Sequence, residues 1–371
     1  MRGRVDGQGV MVYAMDVEGM IPEGHPLRAI KVRVDAELRR LARHFNEAYA
    51  EDGRPSIPPE QLIKATLLQA LYSIRSERQM CEQIRYNLLY RWFLDLSPEE
   101  TVWDHSTFSK NRERFAAHGL MRRFFEGSVA QAITEDAASM EHFSVDGTLI
   151  EAWASMKSVR PKDEPDDPTG GDSNGWVDWH GETRSNETHA SRTDGEARLA
   201  RKGRGREAIL GHALHGVMEN RNGLLLDITV TEANGTAERE AALDLLGRVR
   251  RRHWLRPKTI GGDQGFNAGP FLETLEEDLH IVPHVPVDAS PRDPDRPGYE
   301  ARRRAYRRRR NVGYRISQCV RKRIEEIWGW LKTIAGLRKT RFVGRWKTQL
   351  YAYAAGAAWN FLRLANLKAP A

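Results

Sequence analysis

Two aspartates in this 371-residue chain stand in matching positions. Asp146 closes the short apolar run of HFSVDGT and is followed by Gly147, while Asp263 closes that of PKTIGGDQGF and has Gly265 two residues on. A carboxylate at the end of a buried strand is destabilising unless it caps a turn or meets a cation. Either aspartate alone reads as a turn former, since Asp-Gly pairs are common in turns. As a pair they can share a hard divalent ion such as Mg²⁺, which takes oxygen ligands and keeps several of its waters. A third carboxylate is available in RKRIEEIWGWLKTIAG. There Ile324, Ile327, Trp328 and Leu331 follow the i, i+3, i+4, i+7 spacing of a buried helical stripe. At about 100° per residue, Glu325 falls on the flank of that stripe beside Arg321 and Lys332, and Glu326 points away from it. Asp146, Asp263 and Glu325 are therefore the candidate metal ligands. Glu238 and Glu240 in TAEREAA are rivals, read here as the exposed side of an ordinary helix. His212 and His215 in GHALHG lack a third ligand at fitting spacing and read as structural.

The elements that must hold these residues are visible in the pattern. ILGHALHGVMEN and LLLDITVTEA are strand-like segments split at Asn222-Gly223, a hairpin signal. TAEREAALDLLGRVRRRHW and AGPFLETLEEDL read as helices, and PKTIGGDQGF and HIVPHVP as short strands. The order strand, strand, strand, helix, strand, helix, strand predicts a mixed sheet with helices packed on it. After an amino-terminal segment (1–57), residues 58–135 are dense in helical signals, and STFSKNRERFAAHGLMRRFF follows a polar turn. Two helices joined by such a turn resemble a helix-turn-helix, with Lys110, Asn111, Arg112 and Arg114 at exposed early positions and Lys110 and Arg112 as DNA contacts. An ordinary helical bundle would show the same pattern. Residues 155–207 are almost free of aliphatic side chains and read as a polar, disordered insertion anchored by Trp176 and Trp179. Residues 341–371 read as a carboxy-terminal helix packing on the sheet domain.

Composition narrows the class. The net charge is +7, and Arg302–Arg323 alone carries eleven Lys or Arg and no acid. A charge run is often a solvated face. Leading as it does into a patterned helix, this one, with Arg307, Arg308, Arg309 and Arg310 at its centre, is read as a phosphate-backbone contact. Only Cys81 and Cys319 are present, which argues against a disulfide framework. There is no long apolar run for a membrane span and no secretory leader pattern, so a cytoplasmic protein is expected.

Taken together, SVDGT, GGDQGF and RISQCVRKRIEEIWGWLK resemble the DDE transposases of bacterial insertion sequences, in the branch of insertion sequence five, and the likeness runs along nearly the whole chain. The resemblance implies an α/β catalytic domain of ribonuclease-H-like type over residues 140–340, preceded by an α-helical DNA-binding domain. It implies that Asp146, Asp263 and Glu325 form the catalytic metal triad, holding Mg²⁺ with Mn²⁺ as a substitute. Arg321 and Lys332 match the basic residues that the family sets four before and seven after its glutamate. Gln318 departs from the pattern, since many relatives have Tyr there, and this puts one DNA contact in doubt. The implied partners are double-stranded DNA, at element ends and target site, and a second copy in an active homodimer on the bacterial nucleoid. Two other classes stay open: a ribonuclease-H-like nuclease without strand transfer, and a non-catalytic DNA-binding descendant.

Overall fold

The computed structural model describes residues 16–50, 56–163, 185–201, 203, 207–234, 237–287 and 290–367. Helices α1 (Val17–Met20), α2 (Pro26–Arg40), α3 (Ala42–Ala48), α4 (Pro59–Leu71), α5 (Glu77–Tyr86), α6 (Leu88–Phe93), α7 (Ser106–Ala117) and α8 (Leu120–Thr134) come first. Their boundaries follow local chemistry. Proline opens α2 and α4, where its missing N–H has no helical partner to lose. Ser76 and Asn87 accept side-chain hydrogen bonds from the first free amides of α5 and α6.

The sheet region contains β1 (His142–Glu151), β2 (Val159–Pro161), β3 (His189–Ser191), β4 (Arg198–Ala200), β5 (Ile209–Glu219), β6 (Leu224–Glu232), α9 (Ala237–His253), β7 (Thr259–Gly261), α10 (Gly269–Glu277) and β8 (Val282–His284). Central β1 pairs antiparallel with β5 and parallel with β7. On the outer sides, β7 pairs parallel with β8, and β5 pairs antiparallel with both β4 and β6. The sheet is thus mixed, and β1, β5, β6, α9, β7, α10 and β8 follow the predicted order, with β2, β3 and β4 inserted between β1 and β5. The β5–β6 turn passes through Gly223 at φ +71°, and the Glu219 carboxylate accepts the Arg221 and Asn222 amides, which closes the hairpin.

The described parts of residues 155–207 depart from the expectation of a disordered insertion. They form the β2–β3 pair and the β4 edge strand. Polar side chains do the work that aliphatic ones do elsewhere. Asn186 pins Leu199 through both its backbone N–H and C=O. Buried Asp194 accepts the Gly344 amide and lies 3.3 Å from His212 Nε2. Trp176 and Trp179 lie outside the described residues.

The chain ends with α11 (Tyr299–Arg308), α12 (Val312–Val320), α13 (Ile324–Thr333) and α14 (Arg345–Leu367). The buried stripe of α13 is Ile324, Ile327, Trp328 and Leu331, as the spacing predicts. A 3-10 turn over Arg321–Arg323 separates α12 from α13. Helix α14 packs on β6 and also on α2, α4 and α8. Gly356 lets Phe125 and Leu225 approach its backbone, and buried Asn360 bonds both the N–H and the C=O of Leu225. One continuous hydrophobic core therefore runs from Ile21 to Ala365.

Candidate active site

Asp146 does not end its strand, contrary to the reading of its apolar run; β1 continues to Glu151. It is the partner that stops. The last β1–β7 pair is Ser144 with Gly261, where β7 ends. Asp146 and Asp263 each stand two residues beyond that pair, at the open end of the parallel ladder. Asp263 turns away to cap a 3-10 turn, its Oδ1 accepting the Gly265 amide at 2.8 Å. Asp146 lies opposite Gly216 of β5. The bare Gly216 backbone makes room for the Trp328 ring, and Trp328 Nε1–H donates to Asp146 Oδ2 at 3.0 Å. Helix α13 is thereby clamped onto the strand that carries the first aspartate.

Asp146, Asp263 and Glu325 line one cavity of about 990 Å³, together with Arg321 and Lys332. Glu325 is exposed, on the first turn of α13. Glu326 is exposed as well, but it is Glu325 and not Glu326 that lines the cavity. Gln318 donates to the His284 carbonyl and ties α12 to β8.

The same cavity contains Glu238, which the sequence reading had turned toward solvent. It is half-buried in the first turn of α9, whereas Glu240 is exposed. A signal was present: Glu238, Ala241, Ala242, Leu245, Leu246 and Val249 follow i, i+3, i+4, i+7, i+8, i+11, so Glu238 heads the buried stripe. Burial, reinforced by the charges of Asp263 and Asp146, pushes the Glu238 carboxyl up to about 7. Burial also lifts Asp146 to about 6, with Asp263 adding to it and the Gly147 amide and Trp328 opposing. His215, on β5 opposite Gly147, is held neutral by burial with its pKa down at about 4.

Carboxylates that raise one another's pKa form an oxygen donor set suited to a hard divalent cation. Among the described residues, no three His, Cys, Asp or Glu side chains close into a ready metal cage.

The expected DNA contacts are only partly free. On α7, Lys110 is exposed, but Asn111 is buried and takes the Tyr49 hydroxyl, and Arg114 stacks on Tyr49. Arg112 pairs with Glu77 and lies over the Phe342 ring. The reason is that α7 buries Phe108 and Phe115 against its neighbours, α8 and α14, so its basic positions are recruited into packing. In the arginine block, Arg308 pairs with Glu276, and Arg309 donates to the Val287 carbonyl and stacks on Tyr306. Arg307 and Arg310 are exposed. A second cavity of about 930 Å³ adjoins the first at Lys332 and is lined by Arg75, Arg338 and Lys339, with Trp153 half exposed. These last residues carry no distinctive spacing in the sequence.

The chain matches two family models: a transposase domain (DUF772) over residues 15–114 and a transposase DDE domain over residues 169–361. The second match spans more than half of the chain. The chain belongs to the transposase DDE domain family. As a DDE transposase it is a DNA-cleaving and strand-transferring enzyme on a ribonuclease-H-like mixed sheet, of a class that depends on divalent metal. The matched segment includes Asp263 and Glu325; Asp146 precedes it. No curated protein matches. Among solved structures, the Mos1 transposase paired-end complex with left transposon end is 11% identical at a TM-score of 0.21, covering 76% of this chain and 85% of that one. A pre-cleavage Mos1 transpososome is 11% identical at 0.21, covering 87% and 99%. Likeness at that level carries no argument about this transposase. Among the described residues, no helix is long and apolar enough to cross a membrane.

Proposed function

We propose that this transposase binds the ends of an insertion sequence of the branch named after insertion sequence five, and that Asp146, Asp263 and Glu325 are the residues at which strands are cut and transferred. The observation that carries the reading is the geometry of the open ladder end. Two aspartates stand equally far beyond the last β1–β7 pair, in one cavity with Glu325 and two basic residues. Asp146, Asp263 and Glu325 would hold divalent ions, Mg²⁺ with Mn²⁺ as substitute, which when bound would supply the charge to activate a water or 3′-hydroxyl and to stabilise the leaving oxygen. The chain's own residues orient. Trp328 fixes Asp146, the Gly265 amide fixes Asp263, and Arg321 and Lys332 hold the phosphate beside the carboxylates. Arg75, Arg338 and Lys339 extend that basic lining toward the amino-terminal helices, which supports a path for double-stranded DNA. Lys110, Arg307, Arg309 and Arg310 are the exposed members of the expected contact set, with Arg309 also donating to the Val287 carbonyl. A homodimer bridging two ends on the nucleoid completes the reading, as do a DNA-binding part over residues 58–135 and a catalytic part over 140–340. The test is to incubate the purified protein with DNA carrying the flanking ends, in Mg²⁺ and then in EDTA. Asp146→Asn should abolish cleavage and leave end binding nearly intact. Loss of both in a folded variant defeats this division of labour.

A further inference from the structure

We propose that Glu238 is a fourth carboxylate of the metal centre, held between the two aspartates by a pair of glycine faces. The proposal deepens the reading above and rests on it.

The glycines that follow the aspartates show where Glu238 sits. A Cβ built on Gly147 would lie 2.9 Å from Glu238 Oε1, and one built on Gly265 would lie 3.3 Å from Glu238 Oε2 and 2.9 Å from Asp263 Oδ1. One carboxylate thus fills the space between the two Asp-Gly corners, an oxygen toward each. Neither glycine has a positive φ, so what the two glycines provide is clearance for these side chains. DGT in β1 and DQGF after β7 are usually read as turn chemistry, yet here both leave room for the same side chain.

A second observation comes from β5. The Cβ that Gly147 lacks would also lie 2.7 Å from His215 Nδ1. His215 is only 4% exposed, and its Nδ1 has no hydrogen-bond partner among the described residues. Its tautomer follows from its other nitrogen. The Thr231 hydroxyl donates its one proton to the Glu232 carbonyl, so at 2.9 Å it accepts from His215 Nε2–H. Nδ1 is then a bare lone pair turned toward the space over Gly147. That nitrogen and the carboxylates of Glu238, Asp146 and Asp263 are all acceptors. The nearby cation on α9, Arg239, spends a guanidinium N–H on the Gly265 carbonyl. A set of acceptors facing one space fits a cation and the water bound to it. Asp146, Asp263, Glu325 and Glu238 line one cavity, and four carboxylates would offer a pair of ions two each, within the usual complement for Mg²⁺.

The experiment measures Mn²⁺ binding by the full-length protein without DNA, through titration calorimetry and the Mn²⁺-induced rise in Tm. Glu238→Gln should weaken Mn²⁺ binding at least about tenfold and remove most of the Tm rise. Glu240→Gln, two residues along α9 and exposed, should behave as wild type. Wild-type Mn²⁺ affinity in Glu238→Gln overturns the proposal. Asp146→Asn separates the two levels of inference. If it loses Mn²⁺ while Glu238→Gln keeps it, only the fourth ligand falls; if both keep it, the metal assignment of the whole site falls. Should Glu238→Gln fold poorly, Glu238→Asp keeps the charge but withdraws it by one methylene. Weakened Mn²⁺ binding in that variant supports the proposal, and unchanged binding overturns it.

Discussion

Replacing Trp328 with Phe keeps most of the ring on Gly216 and removes the N–H that donates to Asp146 Oδ2 at 3.0 Å. A hydrogen bond to a charged group contributes about 1.5–3 kcal/mol, and one to a neutral group about 0.5–1.5 kcal/mol. Asp146 is lifted to about 6, so at pH 8 it is ionised in the folded protein and the larger figure applies. At pH 5 it is mostly protonated and the smaller one applies. A double-mutant cycle of Trp328→Phe and Asp146→Ala, followed by urea unfolding in EDTA, should therefore show coupling near 2 kcal/mol at pH 8, falling to about 1 kcal/mol at pH 5. The same N–H favours the ionised carboxylate. Its loss should raise the Asp146 pKa further, by about one unit for each 1.36 kcal/mol of difference between the two protonation states, which a carboxyl NMR titration reads directly. Coupling below about 0.5 kcal/mol at pH 8 would refute the view that Trp328 holds Asp146 through this bond.

Glu325→Gln should eliminate Mg²⁺-dependent cleavage, while Glu326→Gln should keep most of it and change stability by no more than about 0.5 kcal/mol, compared at equal folded fraction; the reverse ranking would mean that the α13 phase is misassigned. Arg307→Ala and Arg310→Ala should weaken DNA binding on all sequences alike and each lower the salt slope by roughly 1, whereas Arg308→Ala should instead lose about 1–2 kcal/mol of stability, because Arg308 is committed to Glu276, only a tenth exposed. His142 and His284 are held neutral, at about 4, by burial. Since these folded values lie below the free value near 6.5, their stability contribution is full above pH 6.5 and is lost as pH falls toward 4. Asp146, Asp227 and Glu238, raised to about 6, 6 and 7, act in the opposite sense over the same range. The test is thus the difference curve between wild type and His142→Gln, which should slope between pH 6.5 and 4; a flat curve would show that His142 does not resist protonation.

What the sequence revealed depended on whether a feature was local. The α13 stripe and the Asn222-Gly223 hairpin are set by neighbours within a few residues, and both were legible. Asp146 was legible as a site residue but not as a mid-strand one, because the end of β7 against Ser144 is a fact about pairing across more than a hundred residues. β2, β3 and β4 are three residues each, too short for any period, and are held by single polar links such as Asn186 to Leu199. Glu238 was missed for a different reason. Its charge outweighed its phase in the reading, although its spacing to Ala241 and Ala242 already set it on the buried face of α9. Arg112 shows the converse, a basic residue whose packing against Phe342 no local pattern announces.

Helix α14 lies against the sheet and against α2, α4 and α8 at once, with one core running from Ile21 to Ala365. The amino-terminal helices are therefore not a cassette that recombination could exchange for another. An exchange would have to match the alanine-rich surface of α14 residue for residue, or leave it open to water. On the proposed division of labour, in which these helices read the ends, an element carrying this enzyme would change the ends it recognises by substitutions on exposed faces, one side chain at a time, while the interior stays fixed. Its diversification should be gradual and confined to the surface.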